Sequence, residues 1–431
     1  MLNEEVIDNL VDVLVRRIEK VNTYTLKKIG EVLKQLGDVP PSRAYDLAMI
    51  LKYGGDYDSI VKELAKVTEL NEKDIEKMFK EVAKKNLVFA KQFYEYRDMK
   101  YIPYEKNIAL QEQVRAISKI TEGTYRNLSN TLGFVRIKNG RKVFTPLAQA
   151  YQEVIDDSVV ALIQGKDSFN SALRKSVREL SASGIKTIDW ESGYHRRLDS
   201  SVRMNLRGAL RDFSINLQEQ FGEEYGADGI EVSVHNNPAP DHEEVQGHQF
   251  SKEEFEKLQE IGVAKDYKGK AIDIHRQLKN GDLTDDYRPI GQLNCYHYVY
   301  NIVLGVSNPQ YTQQQLDKIN KDNKDGFKLD GKHYTNYEGM QMQRKLETSI
   351  RRQQDRKIMA KATGVKEEEI LANQKITQLT NKYFELSQKS GLPTKLDRLY
   401  MRWYAIIKLP LVGVNPFILV LRTSNSSLFV L

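Results

Sequence analysis

Residues 198–235 read LDSSVRMNLRGALRDFSINLQEQFGEEYGADGIEVSVH, and the spacing of apolar residues changes within this stretch. In its first part, apolar side chains recur at three- and four-residue steps, as on one face of an amphipathic helix. The pattern predicts a helix from about Asp199 to Glu224. The apolar positions are Val202, Leu206, Leu210, Phe213 and Leu217. Arg203, Arg207 and Arg211 form a second stripe at four-residue spacing.

The end of the stretch, GIEVSVH, alternates apolar and polar residues, which predicts a half-buried strand. A histidine-rich loop follows, VHNNPAPDHEEVQGH at residues 234–248. Next come a predicted helix in SKEEFEKLQEI and a second predicted strand in NCYHYVYNIVLG. We therefore expect a small α+β module at about residues 229–306.

The segments before this module predict helices. Residues 1–104 form a helical N-terminal region, with a break at residues 38–42 and a new helix beginning at about residues 71–74. Residues 105–228 form a central helical region, interrupted by GFVRIKNGRKVF. The Asn139-Gly140 pair in that segment predicts a β-hairpin turn.

The segments after the module differ from each other. Residues 307–402 predict a polar and basic helical region, in which EGMQMQRKLETSIRRQQDRKIMAKATG has few balancing acids and is expected to be a solvent-exposed helix. Its candidate DNA contacts are Arg344, Lys345, Arg351, Arg352, Arg356 and Lys357. Residues 403–431 form a hydrophobic tail, where prolines and charges argue against a spanning helix. The fold class expected for the whole chain is mainly α.

Composition narrows the class of protein. The 431 residues are 40% hydrophobic, and the net charge of +6 results from 65 basic and 59 acidic side chains. This balance does not by itself indicate nucleic-acid binding. The single cysteine excludes an internal disulfide framework and fits a reducing compartment. The acidic N-terminus does not resemble a signal peptide, and we expect no membrane span.

Five of the seven histidines lie between residues 230 and 300, together with the only cysteine. Cys295 and His297 are two residues apart on the predicted second strand, so they point to the same face. If the two strands are neighbours, four side chains converge as candidate zinc ligands. Asp241 or Glu243 would then orient a ligand or act as a general base. The four candidate ligands are His235, His242, Cys295 and His297.

The known enzyme motifs argue against catalysis. The sequence contains no Cys-x-x-Cys pair, no His-Glu-x-x-His, no Walker loop and no Gly-x-Ser-x-Gly elbow. Three interpretations stay open: a structural hydrogen-bond network without a cofactor, a structural zinc site, and a metal-dependent hydrolase. We favour the first, which makes the protein a non-enzyme.

Three segments carry a resemblance to a known family: SGYHRRLDSSVRMNLRGAL, GIEVSVHNNPAPDHEEVQGHQFS and YRPIGQLNCYHYVYNIVLGVSNP. Together they resemble the tailed-phage minor capsid proteins of the type called phage minor capsid protein 2, related to the Mu F-like head-morphogenesis proteins. The matching motif positions are Arg203, Asn205, His235, Pro240, His242, Gln246, Gly247, Asn294, Cys295, His297 and Gly305. The resemblance is clearest over residues 140–310.

The resemblance implies a structural protein of the virion, made in the host cytoplasm and incorporated in the head. Such proteins bind at or near the portal vertex and are thought to assist head assembly, DNA packaging or DNA delivery. The implied partners are the portal protein, the major capsid or scaffolding protein, and packaged double-stranded DNA bound without sequence specificity. DNA contacts of that kind would weaken as salt increases.

Overall fold

The computed structural model describes residues 4–53, 55–126, 131–189, 191–277, 282–291 and 295–399. Helices make up most of this structure, as expected for a mainly α chain. Two sequence predictions fall outside the described residues: the motif position Asn294 and the hydrophobic tail at residues 403–431. Within the described part of the chain, none of the helices combines the length and apolar character needed to cross a membrane.

The first half of the chain contains seven helices in its described residues and one sheet. The helices are α1 (Glu4–Gly37), α2 (Pro41–Tyr53), α3 (Gly55–Tyr96), α4 (Ile108–Arg126), α5 (Leu147–Gln164), α6 (Lys166–Ser183) and α7 (Leu198–Tyr225). The strands are β1 (Leu132–Lys138), β2 (Arg141–Pro146), β3 (Lys186–Ile188) and β4 (His195–Arg197). They form one sheet in the order β2-β1-β3-β4.

The region after α7 begins with short strands around one helix. These elements are β5 (Gly229–Val232), β6 (Gln249–Ser251), α8 (Lys252–Ile261), β7 (Val263–Lys265), β8 (Ala271–Asp273), β9 (His275–Gln277), β10 (Leu283–Tyr287) and β11 (Val299–Ile302). A three-stranded sheet has the order β11-β5-β6, while β7 pairs with β8 and β9 with β10. The two predicted strands of the module are therefore antiparallel neighbours, with Val299 opposite Val232.

The C-terminal part of the described chain is helical apart from one hairpin. Its elements are α9 (Gln313–Asp325), β12 (Phe327–Leu329), β13 (Lys332–Tyr334), α10 (Asn336–Thr363), α11 (Lys366–Ser390) and α12 (Leu396–Leu399). Both α9 and α10 begin with a capping box, in which the threonine before the helix and the third helical residue satisfy each other's backbone N–H groups.

Several sequence predictions are confirmed. Helix α7 buries all five residues of its predicted apolar stripe, and its bounds differ by one residue at each end. The hairpin of β1 and β2 turns at Asn139 and Gly140, which have φ angles of 50° and 74°. These left-handed conformations are the ones that a type I′ turn requires. Helices α5 and α6 end at Gly165 and Gly184.

Two predictions about single elements are wrong. The helix expected to begin at residues 71–74 is instead continuous with the preceding one, since α3 extends over 42 residues. Strand β5 was expected to be half-buried but is buried on both faces, because Ile230 and Val232 pack in the core of the module and residues 307–310 cover Glu231. The Glu231 carboxylate accepts hydrogen bonds from Gln249 Nε2 at 2.7 Å and from the Gln310 amide at 3.0 Å. Burial raises the pKa of this carboxyl group.

The main hydrophobic core joins distant parts of the sequence. It contains side chains from α1, α3, α5, α6, α7 and β11, together with Met359 and Ala360 of α10. A second core lies within residues 229–306, around Val232, Phe250 and Leu258. A third, smaller core lies between α10 and α11. The sheet β11-β5-β6 contributes to the first two, so the α+β module is anchored on the helical body.

Helix α10 is an interior helix rather than the solvent-exposed one that its composition predicted. It packs against α1, α6 and α11. Arg351 is buried and pairs with Asp199 at 3.2 Å, and Arg356 pairs with buried Glu368 at 2.6 Å. These two basic residues of α10 are therefore balanced by acids on α7 and α11. An interior helix can therefore carry a basic sequence when each buried charge has a partner.

Candidate functional site

The histidine-rich loop leaves β5 and returns to it. The Gly247 amide donates to Val232 O at 2.9 Å, and the Val232 amide donates to His248 O at 3.1 Å. Gly247 has a φ of +72°, and a Cβ there would lie 2.5 Å from Leu316 Cδ2. Glycine is required at this position for conformation and for space. Within the loop, the proline at residue 240 starts a short 3₁₀ turn that ends at His242.

The segment before β11 lies against the start of this loop. The Ser233 amide donates to Tyr298 O, and the Tyr298 amide donates to Ser233 Oγ, both at 2.8 Å. This pairing brings residues 295–297 to the 3₁₀ turn. Cys295 and His297 were predicted to lie on the second strand, but this is wrong: they precede β11, which begins only at Val299.

Three of the four predicted ligands converge. The candidate ligand atoms of His242, Cys295 and His297 all lie within 4.8 Å of one another. Cys295 Sγ is 3.4 Å from Nδ1 of His242 and 3.4 Å from Nδ1 of His297. The three residues are 1%, 9% and 3% exposed. We call them the His-Cys-His cluster.

The remaining nitrogen of each histidine faces an acceptor. Nε2 of His242 lies 2.7 Å from the backbone carbonyl of Arg288. Nε2 of His297 lies 3.4 Å from Gln246 Oε1. The backbone amide of His235 donates to the same Oε1 at 2.9 Å, which identifies that atom as the oxygen of the amide. Both Nε2 atoms therefore carry the proton, and in a neutral ring both Nδ1 atoms present a lone pair toward the sulfur.

A relay of amides fixes Gln246. Its Nε2 donates to Asn320 Oδ1 at 2.9 Å, and Asn320 Nδ2 donates to the Glu243 carbonyl at 3.2 Å. Asn320 lies on α9, so this helix orients the cluster without touching it. Sequence patterns gave no signal for Asn320, because it lies 74 residues from Gln246 in a mostly polar helix.

The sulfur receives two backbone N–H groups. The His297 amide donates to Cys295 Sγ at 3.4 Å, and the Gly291 amide also bonds the sulfur. Burial raises the pKa of the Cys295 thiol, and these amides partly oppose that effect. For His242, burial lowers the pKa because it disfavours the charged imidazolium, whereas the nearby Asp241 carboxylate acts to raise it.

His235, the fourth predicted ligand, is not part of the cluster. Its Nδ1 accepts a hydrogen bond from the Asn237 amide at 3.1 Å, and its ring centroid lies 6.3 Å from that of His297. The acids proposed as orienting groups or bases are also engaged elsewhere. Asp241 pairs with Arg288 at 2.9 Å, and Glu243 pairs with Lys324 at 2.9 Å.

The cluster lines a polar cleft of about 330 Å³ between the loop and the start of α10. Tyr296 forms part of its wall and stacks under Arg207 of α7, with the guanidinium carbon 4.3 Å from the ring centroid. Arg344 of α10 donates to the Tyr296 hydroxyl at 3.1 Å. Arg344, predicted as a DNA contact, is therefore part of the cleft. A larger cavity of about 770 Å³ lies between α7 and α8, and its described lining includes none of the predicted site residues.

The other motif positions lie outside the His-Cys-His cluster. Arg203 pairs with Asp12 of α1, so it joins α7 to the N-terminal helix. Asn205 and Pro240 are exposed. Gly305 has a φ of +75° in the turn after β11.

The remaining basic positions of α10 also differ in exposure. Lys345 and Arg352 are exposed, and Lys357 is half-buried. Arg351 and Arg356 are engaged in the ion pairs with Asp199 and Glu368. Among the six residues predicted to contact DNA, two are therefore fully available to solvent.

Comparison with known proteins agrees with the resemblance in the sequence. A family model described as phage minor capsid protein 2 matches residues 2–386. No curated protein and no solved structure matches the chain. The family match extends from the first helix through α10 and most of α11, and it includes the whole His-Cys-His cluster. The chain belongs to the phage minor capsid protein 2 family.

Proposed function

We propose that this virion structural protein binds the portal protein at the portal vertex and assists head assembly, DNA packaging or DNA delivery. Family membership supports a structural role in the head. The observation that carries the portal contact is an apolar surface on the helical body, formed by α2 and α5. We call it the α2–α5 surface.

On α2, three large side chains recur every four residues and are mostly exposed. Tyr45 is 65% exposed, Met49 39% and Tyr53 71%, and Ile50 beside them is 66% exposed. Residues at four-residue steps share one face of a helix. These side chains therefore form a continuous apolar stripe on α2, facing away from the core.

Helix α5, which packs beside α2, carries further exposed apolar side chains. Lys52 of α2 forms an ion pair with Asp156 of α5, so these two helix faces are adjacent. Val160 and Ile163 lie one and two turns beyond Asp156 on the same face, and are 55% and 62% exposed. Grouped exposed apolar side chains of this kind are typical of protein–protein contacts. In a head protein, the proposed occupant is the portal protein.

Phosphate contact is a secondary part of the proposal and involves Lys345 and Arg352. Both are exposed on α10. They would contact the backbone of packaged DNA without reading its sequence.

A metal-dependent hydrolase is the second candidate, since three metal-ligating side chains meet beside a cleft. Hydrolysis at a metal also requires a group that accepts the proton of the attacking water. The two acids predicted for that role, Asp241 and Glu243, are both held in ion pairs. We therefore favour the structural role.

The test is co-purification of the full chain with the portal protein and, separately, with the major capsid protein of the same phage. We expect binding to portal, and loss of binding in the double variant Tyr45→Glu, Ile50→Lys. The matched control is Ile120→Lys, which adds a charge at an equally exposed apolar position (67% exposed) on α4. Unchanged portal binding in the double variant would contradict the α2–α5 surface. Binding to the major capsid protein alone would contradict the portal contact.

A further inference from the structure

We propose that the His-Cys-His cluster binds a zinc ion through Nδ1 of His242, Sγ of Cys295 and Nδ1 of His297. Zinc bonds of about 2.3 Å to sulfur and about 2.0 Å to nitrogen, at a tetrahedral angle, place sulfur and nitrogen about 3.5 Å apart. Both observed sulfur–nitrogen distances are 3.4 Å. The two sulfur–nitrogen spacings therefore match two edges of a zinc tetrahedron.

The hydrogen bonds around the cluster direct the lone pairs of its donor atoms toward one another, an arrangement that suits a bound cation. Both Nδ1 lone pairs face the same sulfur, because both Nε2 atoms donate to oxygen acceptors. A thiol has a single proton and can donate it to one of the two nitrogens. A zinc ion between the three atoms accepts all three lone pairs.

The hydrogen-bonding groups around the cluster resemble those that orient ligands in known metal sites. A metal-bound histidine usually donates its second N–H to a carbonyl or carboxylate, which fixes the ring. Here the Arg288 carbonyl serves His242, and the Gln246 amide oxygen serves His297. The backbone amides of Gly291 and His297 point at the sulfur and stabilise a thiolate. Imidazole and thiolate donors together favour zinc over magnesium or calcium, which prefer oxygen.

The fourth coordination position opens on the cleft, since all three ligands line it. We assign this position to a water molecule. Binding would release the thiol proton of Cys295 to solvent and form a zinc–thiolate bond. The ion would tie the histidine-rich loop to the segment before β11, two parts of the chain separated by 53 residues. The ion would stabilise the module, independently of whether the chain binds portal.

The first test uses the full chain, purified, stripped with a chelator and titrated with Co²⁺ as a spectroscopic substitute for zinc. We expect saturation at roughly one metal per chain, with the visible bands of tetrahedral cobalt and a near-ultraviolet thiolate-to-cobalt charge-transfer band. Zn²⁺ should displace the cobalt. Absence of the charge-transfer band in folded protein would overturn the proposal. Weak octahedral cobalt bands alone would show adventitious surface binding and would overturn it as well.

Substitutions of single residues test whether the metal binds at the His-Cys-His cluster. Cys295→Ser should abolish the charge-transfer band, and His297→Gln should reduce the affinity for zinc at least tenfold. The matched control is His333→Gln, an exposed histidine on β13, which should retain the wild-type stoichiometry. Equal zinc content in all four proteins would overturn the assignment.

A measurement on the unmodified sequence covers the case in which a variant fails to fold. Cys295 is the only cysteine, so thiol alkylation reports on this site alone. Zn²⁺ should slow alkylation at least tenfold in the native chain, and chelator should restore the faster rate. Equal alkylation rates with and without Zn²⁺ would overturn the proposal.

Discussion

Arg197 and Asp355 form a buried ion pair that joins the middle of the chain to α10. Both terminal nitrogens of the Arg197 guanidinium lie 3.2 Å from Asp355 Oδ2. The other carboxylate oxygen of Asp355 accepts from Asn22 Nδ2 of α1 at 2.9 Å. Arg197 also contacts Asp199, which in turn pairs with Arg351. One polar network thus connects α1, α7 and α10 inside the helical body.

Asp355→Ala should destabilise the protein by about 1.5–3 kcal/mol, because it removes the carboxylate that contacts both terminal nitrogens of the buried Arg197 and that accepts from Asn22 Nδ2. Urea unfolding measures the loss. Glu385→Gln on α11 is the control, since it removes an exposed ion pair with Lys389 and should leave the unfolding midpoint unchanged. An unchanged midpoint for Asp355→Ala would contradict the importance of the network.

Gly247→Ala should cost about 1–3 kcal/mol of unfolding free energy, because the left-handed backbone is strained with a side chain and the new Cβ meets Leu316. Gly140→Ala provides the comparison. Its φ is +74°, but nothing lies within 4 Å of the added Cβ, so strain alone should cost about 1 kcal/mol. Equal losses in the two variants would show that the contact with Leu316 has no effect.

Glu368 should make the unfolding free energy of the protein fall as the pH is lowered. Burial by itself raises the pKa of Glu368, but hydrogen bonds from Arg178 and Arg356 outweigh it and hold the pKa below the usual value. In the unfolded chain the pKa of this carboxyl group is about 4.3. Its stabilising contribution is therefore complete above that pH and is lost as the pH falls toward the folded-state pKa.

The Glu368→Gln variant should consequently be less stable near neutral pH and should lose less stability between about pH 5 and pH 3. Urea unfolding at a series of pH values measures both effects. The exposed Glu385→Gln on the same helix serves again as the reference, and its pH profile should follow the wild type. Parallel profiles for Glu368→Gln and the wild type would contradict the role of this carboxylate.

Gln246→Leu should weaken zinc binding about 10–100-fold, because His297 loses the acceptor that orients its ring. Gln246→Glu keeps an oxygen acceptor at this position and should bind zinc more tightly than Gln246→Leu. Competition with a chromophoric chelator measures both affinities. Equal affinities for the two variants would show that Gln246 does not position His297.

The double variant Lys345→Ala, Arg352→Ala should bind double-stranded DNA less tightly than the wild type. The slope of its log affinity against log salt concentration should be less steep by about two. Lys389→Ala on α11 is the matched control, because it removes an exposed basic residue outside α10. Fluorescence anisotropy at several salt concentrations measures these slopes. Identical slopes for wild type and double variant would exclude these two residues from the DNA contact.

Periodicity was sufficient to predict α7, the Asn139-Gly140 hairpin and the presence of a strand at β5 and at β11. Each depends on residues close in sequence or on a simple alternation. The convergence of His242 with Cys295 and His297 was expected only on the condition that these strands are neighbours, which the structure shows.

Features that depend on distant partners were not predictable from the sequence. The place of α10 depends on Asp199, which lies 152 residues before Arg351, so the composition of the helix alone suggested exposure. The exclusion of His235 from the cluster depends on a local hydrogen bond to the Asn237 amide. In both cases the partner of a polar group decided its position, and hydrophobic patterning contains no information about that partner.

The most direct test of the central claim is quantitative mass spectrometry of purified phage particles. We expect peptides from this chain at a few copies per particle, in particles that also contain portal and capsid proteins. We also expect the Tyr45→Glu, Ile50→Lys variant to be depleted from particles and Ile120→Lys to be retained. Absence of the chain from complete particles would contradict its assignment as a portal-bound component of the head.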